Sequence, residues 1–456
     1  MQQAWHIFKK DCRYLWREII LLLVLAIAFC FAMADILEGI GAVAVAFVLA
    51  RLIHAEAIPG ENQFWITRPY RWQSLLAAKL IFIVTFVNLP VLISQSLILF
   101  VRHFPVGAVL PGLLWTQVLI FFGLALPIAA GAAMTSGLVP FAGIVLPLVC
   151  LLAVAPHVRF PMPFEWILNL IPLMAAIAVC PLLLYWLYHE RRTLLSRITA
   201  NGVFLGLVLL TYLIPWTTIF AIQSTLSKQQ VAVKVIRDGK LTFRPQRAGV
   251  EMRIPLAIDV PPGSDFKIEK FVVSLAGRDG RRWDLRTEFL GIRDSATADF
   301  NGAIWVLGGI ARFDPAVYDL ERVQPLTIRV SLYLTIFGNA RDKTIQLTKS
   351  AQNVIAGLQC YAGYANQLVC DAPFRWPGLH VSERTTSGAL SGFTRLISYS
   401  PFPAEFTVQP LVRNGLVYYS EHPQELDRPV TIDVREPLAY VRRDVEIRDV
   451  EVGVNR

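Results

Sequence analysis

Residues 75–101 read LLAAKLIFIVTFVNLPVLISQSLILFV, and this stretch decides the fold of the N-terminal half of the chain. It contains one charged residue, Lys79, which lies near its start. About 20 consecutive apolar residues are enough to cross the hydrocarbon core of a bilayer as an α-helix. Every backbone N–H and C=O group needs an internal partner in lipid, which a helix supplies. The stretch therefore predicts a membrane-spanning helix.

Six further apolar segments accompany this one, so seven spans are predicted. They are Ile19–Ala34, Gly39–Ile53, Leu110–Met134, Leu138–Val154, Ile167–Tyr188 and Val203–Ile222. The first two are short and are separated by only four residues, so two full spans and a shallow re-entrant pair both remain open. The first segment is not a cleavable signal peptide, because further apolar spans follow it at once.

The composition divides the chain into two unlike parts. Over 456 residues, 55% are hydrophobic and only 17% are charged, which is too apolar for an ordinary soluble protein. Residues 1–227 carry 13 of the 43 Lys and Arg and 8 of the 34 Asp and Glu. In the remaining part the two signs are interspersed, so the net charge of +9 does not indicate nucleic-acid binding.

The positions of the cations predict the orientation in the membrane. If the N-terminus is cytoplasmic, eleven Lys and Arg lie in cytoplasmic segments and two, Arg102 and Arg159, lie in outer loops. This asymmetry follows the positive-inside rule. The sequence therefore predicts an integral protein of the cytoplasmic (inner) membrane, and after seven crossings its C-terminal region is extracytoplasmic.

The N-terminal segment Trp5–Ile20, WHIFKKDCRYLWREII, alternates aromatic and charged residues ahead of the first span. Such a pattern is typical of an amphipathic helix in the cytoplasmic interface, with its aromatic rings among the lipid headgroups. An ordinary positively charged flank is the alternative.

The loop between the second and third predicted spans carries a resemblance to a known family. It runs from His54 to Leu80 as HAEAIPGENQFWITRPYRWQSLLAAKL. Together with the N-terminal segment it resembles the permease subunits of type-2 ABC transporters, in which an acidic, glycine-containing loop leads into a turn and a Leu-Leu-x-x-Lys-Leu helix start. The resemblance covers roughly residues 1–190. The matching positions are Glu56, Gly60, Thr67, Arg68, Pro69, Leu75, Leu76, Lys79 and Leu80.

The resemblance implies that this cytoplasmic loop docks an ATPase subunit and transmits its closure. The residues assigned to this coupling loop are Glu56, Gly60, Glu61, Trp65, Arg68, Pro69 and Lys79. Pro69 biases Arg68 to an extended conformation, and Lys79 is expected to extend to the membrane surface. A loop that only satisfies the positive-inside rule is the alternative. No G-x-x-x-x-G-K-[ST] motif is present, so the ATPase would be a separate polypeptide.

The C-terminal half has the alternation of β-strands. Apolar residues recur at every second position in Val250–Val260 and Leu326–Ile336. Asp238 and Gly239 predict a hairpin between Val231–Arg237 and Lys240–Arg244. Many short strands over about 230 residues indicate two β-sandwiches, divided near Gly338–Asp342.

Cys360 and Cys370 are the only cysteines of the C-terminal half, and an oxidising compartment favours a disulfide between them. Two buried free thiols are the alternative. The seven histidines are scattered without ligand spacing, and we expect no metal site, no cofactor and no catalytic constellation. The chain is thus predicted not to be an enzyme.

The predicted architecture is an α-helical polytopic membrane bundle followed by an all-β, sandwich-like extracytoplasmic region. Its parts are a six-span permease-like domain (1–190), a cytoplasmic loop with a seventh helix (191–227) and two β domains (228–338 and 339–456). We expect the permease subunit of an ABC-type exporter, acting as a homodimer or paired permease in contact with membrane lipid. The alternative is a membrane-anchored scaffold that binds an extracytoplasmic, periplasmic partner protein.

Overall fold

The computed structural model describes residues 2–31, 35–55, 71–143, 165–190, 193–237, 242–246, 249–277, 282–288, 305–313, 326–338, 341–346, 348–355, 358–362, 368–373, 380–384, 411–415 and 429–450. The N-terminal part of these is helical. Its helices are α1 (Gln2–Tyr14), α2 (Trp16–Phe31), α3 (Asp35–His54), α4 (Trp72–Ile83), α5 (Leu89–Val101), α6 (Val106–Val118), α7 (Leu126–Ala133), α8 (Glu165–Tyr185), α9 (Thr193–Leu213) and α10 (Trp216–Thr225).

Among the described residues, three continuous helical stretches are long and apolar enough to cross a membrane, which supports a membrane protein. They are Trp72–Val101, Val109–Ala133 and Leu170–Glu190, with 30, 25 and 21 residues. Apolar helices at Gly39–His54 and Leu194–Leu207 are shorter. The predicted span Leu138–Val154 lies outside the described residues from position 144 onward.

Short π-helical segments explain how prolines are accommodated within two of these stretches. Val84–Asn88 precedes Leu89-Pro90, and Leu119–Ala125 precedes Leu126-Pro127. Proline lacks an N–H group and its ring collides with the carbonyl one turn earlier. The wider π turn relieves that collision, so each helix continues through its proline.

The predicted seventh span, Val203–Ile222, has the wrong boundaries. Helix α9 begins earlier, at Thr193, and ends at Leu213, and Pro215 then caps the separate helix α10. The cause is Pro215, which disfavours the helical conformation at the residue before it and removes a backbone donor.

The C-terminal part is β-rich. Its strands are β1 (Lys234–Arg237), β2 (Thr242–Gln246), β3 (Gly249–Asp259), β4 (Asp265–Ala276), β5 (Arg282–Glu288), β6 (Trp305–Phe313), β7 (Leu326–Phe337), β8 (Arg341–Gln346), β9 (Gln352–Ile355), β10 (Leu358–Ala362), β11 (Leu368–Pro373), β12 (His380–Arg384), β13 (Leu411–Gly415), β14 (Pro429–Arg435) and β15 (Pro437–Val450).

One eight-stranded sheet dominates this region, with the order β1-β3-β6-β5-β4-β7-β15 and β2 also paired with β3. Its two ends approach each other, because Arg443 Nε in β15 donates to the Val233 carbonyl oxygen, just before β1, at 2.9 Å. The inner face is apolar and includes Ile254, Ile258 and Val330, each fully buried. The sheet thus curls around its own core.

The remaining strands form two small sheets, β13-β11-β10-β9 and β12-β14-β8. Two predictions therefore need correction. The described strands do not make two clear sandwiches, and β1 and β2 do not pair as a hairpin, since both lie along β3. Asp238 and Gly239 lie outside the described residues. The final strand β15 pairs with β7, so the large sheet includes residues from both sides of position 338.

The β region contacts the helices at α10 and at the turn after α5. The Trp216 ring of α10 packs edge-on against Tyr333 of β7, with ring centroids 4.4 Å apart, and Phe220 lies 4.9 Å from the same ring. Gln359 of β10 donates from Nε2 to the carbonyl oxygen of Arg102, 2.8 Å away, in the turn after α5. The β region therefore lies at the end of the bundle where α5 ends.

Candidate functional site

The most polar part of the helical bundle is the end that lies away from the β region. Helices α4 and α5 form one continuous stretch, with Lys79 near its start and Arg102 just after its end. At 1.5 Å per residue these positions are roughly 35 Å apart along the axis. Because Gln359 contacts Arg102, Lys79 belongs to the opposite end. We call the contacts at this end the distal cluster, made by Asp11, Glu18, Arg51, His54 and Lys79.

A buried ion pair fixes the N-terminal helix to the first long span. Lys79 Nζ in α4 lies 2.8 Å from Asp11 Oδ2 in α1, and each side chain is only 2% exposed. Ile7 and Phe8 of α1 are buried beside this pair. The expectation that Lys79 extends to the membrane surface is wrong, because its ammonium group has a carboxylate partner inside the protein.

A second ion pair joins α2 to α3. The Arg51 guanidinium contacts the Glu18 carboxylate, and its other terminal nitrogen donates to the Tyr14 hydroxyl oxygen at 3.4 Å. The guanidinium also lies over the Tyr14 ring, 5.6 Å from the centroid. This pair is more accessible than that of Lys79, with Arg51 31% exposed. It fixes the final turn of α3 against the start of α2.

The C-terminal end of α7 is held from two sides. His54, the last residue of α3, places Nε2 2.9 Å from the Ala132 carbonyl oxygen and 3.1 Å from Thr135 Oγ1. Arg197 of α9 donates from Nε to the Met134 carbonyl oxygen at 3.0 Å. The last carbonyls of a helix have no partner within the helix, and side-chain donors satisfy them. The two side chains thus connect α3 and α9 to α7.

These contacts lie on both sides of the predicted coupling loop. Helix α3 ends at His54 and α4 begins at Trp72, so the loop joins two helix ends that are both fixed. The Trp72 ring packs against Tyr185 and His189, with centroid distances of 5.7 and 5.0 Å. Lys79 is the one coupling-loop residue within the described part. The others, Glu56, Gly60, Glu61, Trp65, Arg68 and Pro69, lie outside it.

The distal cluster consists of polar contacts between helices. Its charged groups pair between helices, and in the described part of the chain no three His, Cys, Asp or Glu side chains lie close enough to hold a metal ion. Each of these contacts attaches a helix end to a neighbouring helix by a directional polar bond.

A group of hydrogen-bonded amides lies deeper in the bundle. Asn88 Nδ2 donates to the Gln117 carbonyl oxygen at 3.0 Å, and Gln117 Nε2 donates to Gln95 Oε1 at 3.3 Å. Gln95 is fully buried. Amides that bond between helices stabilise membrane bundles. The only signal in the sequence was a few isolated polar residues in apolar stretches, which does not reveal their partners.

The predicted disulfide is present at the opposite end. Cys360 and Cys370 face each other across β10 and β11, with a sulfur–sulfur distance of 2.11 Å, and both are fully buried. The neighbouring Gln359 makes the contact with Arg102. The disulfide therefore supports the part of the β region that touches the turn after α5.

Comparison with protein-family models, with curated proteins and with solved structures finds no significant match for this chain. The resemblance to type-2 ABC permeases therefore rests on the residues quoted above.

Proposed function

We propose that this protein is the membrane-spanning permease subunit of an ABC-type exporter, energised by a separate ATP-binding subunit. The observation that carries the proposal is the attachment of the coupling loop. One end follows His54, which bonds to α7, and the other leads through Trp72 to Lys79, which is paired with α1. A push on this loop would move several helices together.

The attachment supports a coupling role because packed helices with specific polar contacts respond as units. Lys79 connects α4 to α1 through a buried pair, so the two helices share one displacement. The same stretch continues to Val101, at the end that the β region contacts. Closure of an ATPase subunit on the loop would therefore also displace the far end of the bundle. A homodimer or paired permease would complete the pathway.

The proposed orientation sets the distal cluster in the cytoplasm and the β region outside the cytoplasmic membrane. The distribution of Lys and Arg between predicted loops supports it. A disulfide in the β region also favours an oxidising compartment. There the β region would guide substrate outward or contact a periplasmic partner protein.

A membrane-anchored scaffold is the second candidate. The observation that favours it is the firm attachment of the β region, in which Trp216 and Phe220 of α10 pack on Tyr333. A rigid attachment of this kind suits a binding domain that must keep a fixed position above the membrane. In that case the helical bundle would serve as an anchor and no ATPase would associate with it.

The experiment that separates the two candidates is purification from native membranes in mild detergent, followed by mass spectrometry of the proteins that accompany it. We expect an ATP-binding subunit with the wild-type protein and its loss with Arg68→Glu. Arg102→Glu, the same charge reversal at the opposite end, is the control and should keep the subunit. Recovery of envelope proteins without any ATPase would support the scaffold instead.

A further inference from the structure

We propose that α1 and the first turn of α2 form a binding surface for anionic phospholipid headgroups, with α1 held in a fixed position by the Asp11–Lys79 pair. The surface, called the cationic face, consists of Lys9 and Arg13 of α1 and Arg17 of α2, with the rings of Trp5 and Trp16. The inference concerns a lipid ligand and does not depend on the proposed transport function.

The two sides of α1 differ in character. Ala4, Ile7, Phe8 and Asp11 are buried against the bundle, and the Phe8 ring lies 6.0 Å from that of Phe86. The cations of the cationic face are exposed on the other side. Helix α1 therefore has one side committed to the protein and another that is available to the surroundings.

The exposed side carries positive charges that acidic residues of the same segment do not balance. Within residues 2–17 the only carboxylate is that of Asp11, and Lys79 neutralises it inside the bundle. Three cations within nine residues of sequence form a dense positive surface. The buried pair thus has a second effect, since it keeps the Asp11 carboxylate away from this surface, while the neighbouring Glu18 carboxylate is paired with Arg51.

The aromatic residues indicate that the partner is a lipid surface. Trp5 and Trp16 are 48% and 54% exposed, and tryptophan is enriched at the headgroup level of membranes. Lys9 Nζ lies 5.5 Å from the Trp5 ring centroid, and the Arg17 guanidinium lies 5.3 Å from that of Trp16. Each pair presents an apolar ring for the acyl boundary beside a cation for the phosphate.

The next helix continues this surface into the hydrocarbon. Exposed apolar side chains follow directly on α2, at Ile20, Leu21, Leu23 and Val24. An acidic protein partner would explain the cations but not an exposed apolar surface that begins one turn later. A membrane explains both, with headgroups at α1 and acyl chains at α2.

Fixation of the helix increases the expected affinity. A helix that must first be ordered loses conformational entropy on binding, whereas α1 is already held by the buried ion pair. Each Lys or Arg near an anionic bilayer surface contributes about a fivefold preference for anionic lipid. Removal of three cations should therefore reduce the preference about a hundredfold.

The test measures lipids bound to the full-length protein by native mass spectrometry. Detergent-purified protein is mixed with equal amounts of phosphatidylglycerol and phosphatidylcholine, and the ratio of the bound lipids is determined. The test variant is Lys9→Gln/Arg13→Gln/Arg17→Gln. The control variant, Lys343→Gln/Arg442→Gln/Arg448→Gln, removes the same charge from exposed positions of the β region.

We expect the wild type and the control to prefer phosphatidylglycerol. In the test variant this preference should be at least tenfold lower. Excess inorganic phosphate should not displace the bound lipid, which distinguishes a lipid headgroup from a free phosphate site. An unchanged ratio in the test variant would overturn the proposal. If the test variant keeps its lipid binding but loses a co-purifying protein, the cationic face binds a protein, and the proposal is overturned as well.

Discussion

Removal of Lys79 tests whether the buried pair holds α1 on the bundle. The change is Lys79→Met, which keeps the length of the side chain and removes its charge. Asp11 would then remain as a carboxylate that is only 2% exposed and has lost its nearest cation. Breaking a buried pair in this way costs about 3–5 kcal/mol. The double variant Asp11→Leu/Lys79→Met should be close to neutral, because no isolated charge is left.

The measurement is amide hydrogen exchange of α1 in the full-length protein in detergent. Since about 1.4 kcal/mol corresponds to a factor of ten, Lys79→Met should accelerate exchange in α1 at least a hundredfold. The double variant should return towards the wild-type rate. Lys228→Met is the control, because the pair of Lys228 with Glu436 is exposed, at 60% and 46%, and should have little effect.

Equal exchange in the single and double variants would refute this reasoning. It would mean that loss of the lysine itself, rather than the buried carboxylate left without Lys79, loosens α1. A single variant with the wild-type rate would show that α1 is held by its apolar side alone.

Three further predictions concern the coupling loop and the β region. Arg68→Glu and Pro69→Ala should each abolish stimulation of a partner ATPase while the thermal unfolding profile stays unchanged. Cys360→Ser should lower the free energy of unfolding of the β region by about 2–3 kcal/mol, read from protease resistance in urea, because the disulfide closes a short loop. Burial raises the pKa of the Tyr440 hydroxyl to about 12, whereas the unfolded chain releases this proton near pH 10. Between these values stability should fall with rising pH by about 2 kcal/mol, and less in Tyr440→Phe.

Each of these has an outcome that contradicts it. Normal ATPase stimulation in both loop variants would remove the loop from the mechanism. Unaltered protease resistance after Cys360→Ser would mean that pairing of β10 with β11 does not need the disulfide. For Tyr440, equal urea midpoints at pH 9 and pH 11 in the wild type would show that its hydroxyl is not shielded from water in the folded state.

Local patterns predicted the elements whose residues repeat regularly. The alternation in Val250–Val260 and Leu326–Ile336 matches β3 and β7 within one residue at most ends. The apolar stretch that ends at Val101 corresponds to the longest helix that was found. Periodicity succeeds here because each element has one environment along its whole length.

These local patterns do not predict contacts between residues that are distant in the sequence. Asp11 and Lys79 are 68 residues apart, and nothing in either segment indicates that they meet. The strand pairing failed for the same reason, since a turn signal at Asp238-Gly239 favours a local hairpin while β1 instead pairs with β3. Pro215 marks the helix break in the sequence, but the apolar residues on both sides of it favoured the prediction of one continuous span.

The return of β15 to the large sheet has a consequence for biogenesis. Strand β7 ends at Phe337 and its neighbour β15 begins at Pro437, so about a hundred residues must be synthesised between them. At a synthesis rate of about 5–20 residues per second, the edge of β7 stays without β15 for about 5–20 seconds. An unpaired edge with an apolar face is prone to wrong pairing. Completion of the large sheet therefore waits for the synthesis of β15, and a chain truncated before Pro437 would leave this edge of β7 unpaired.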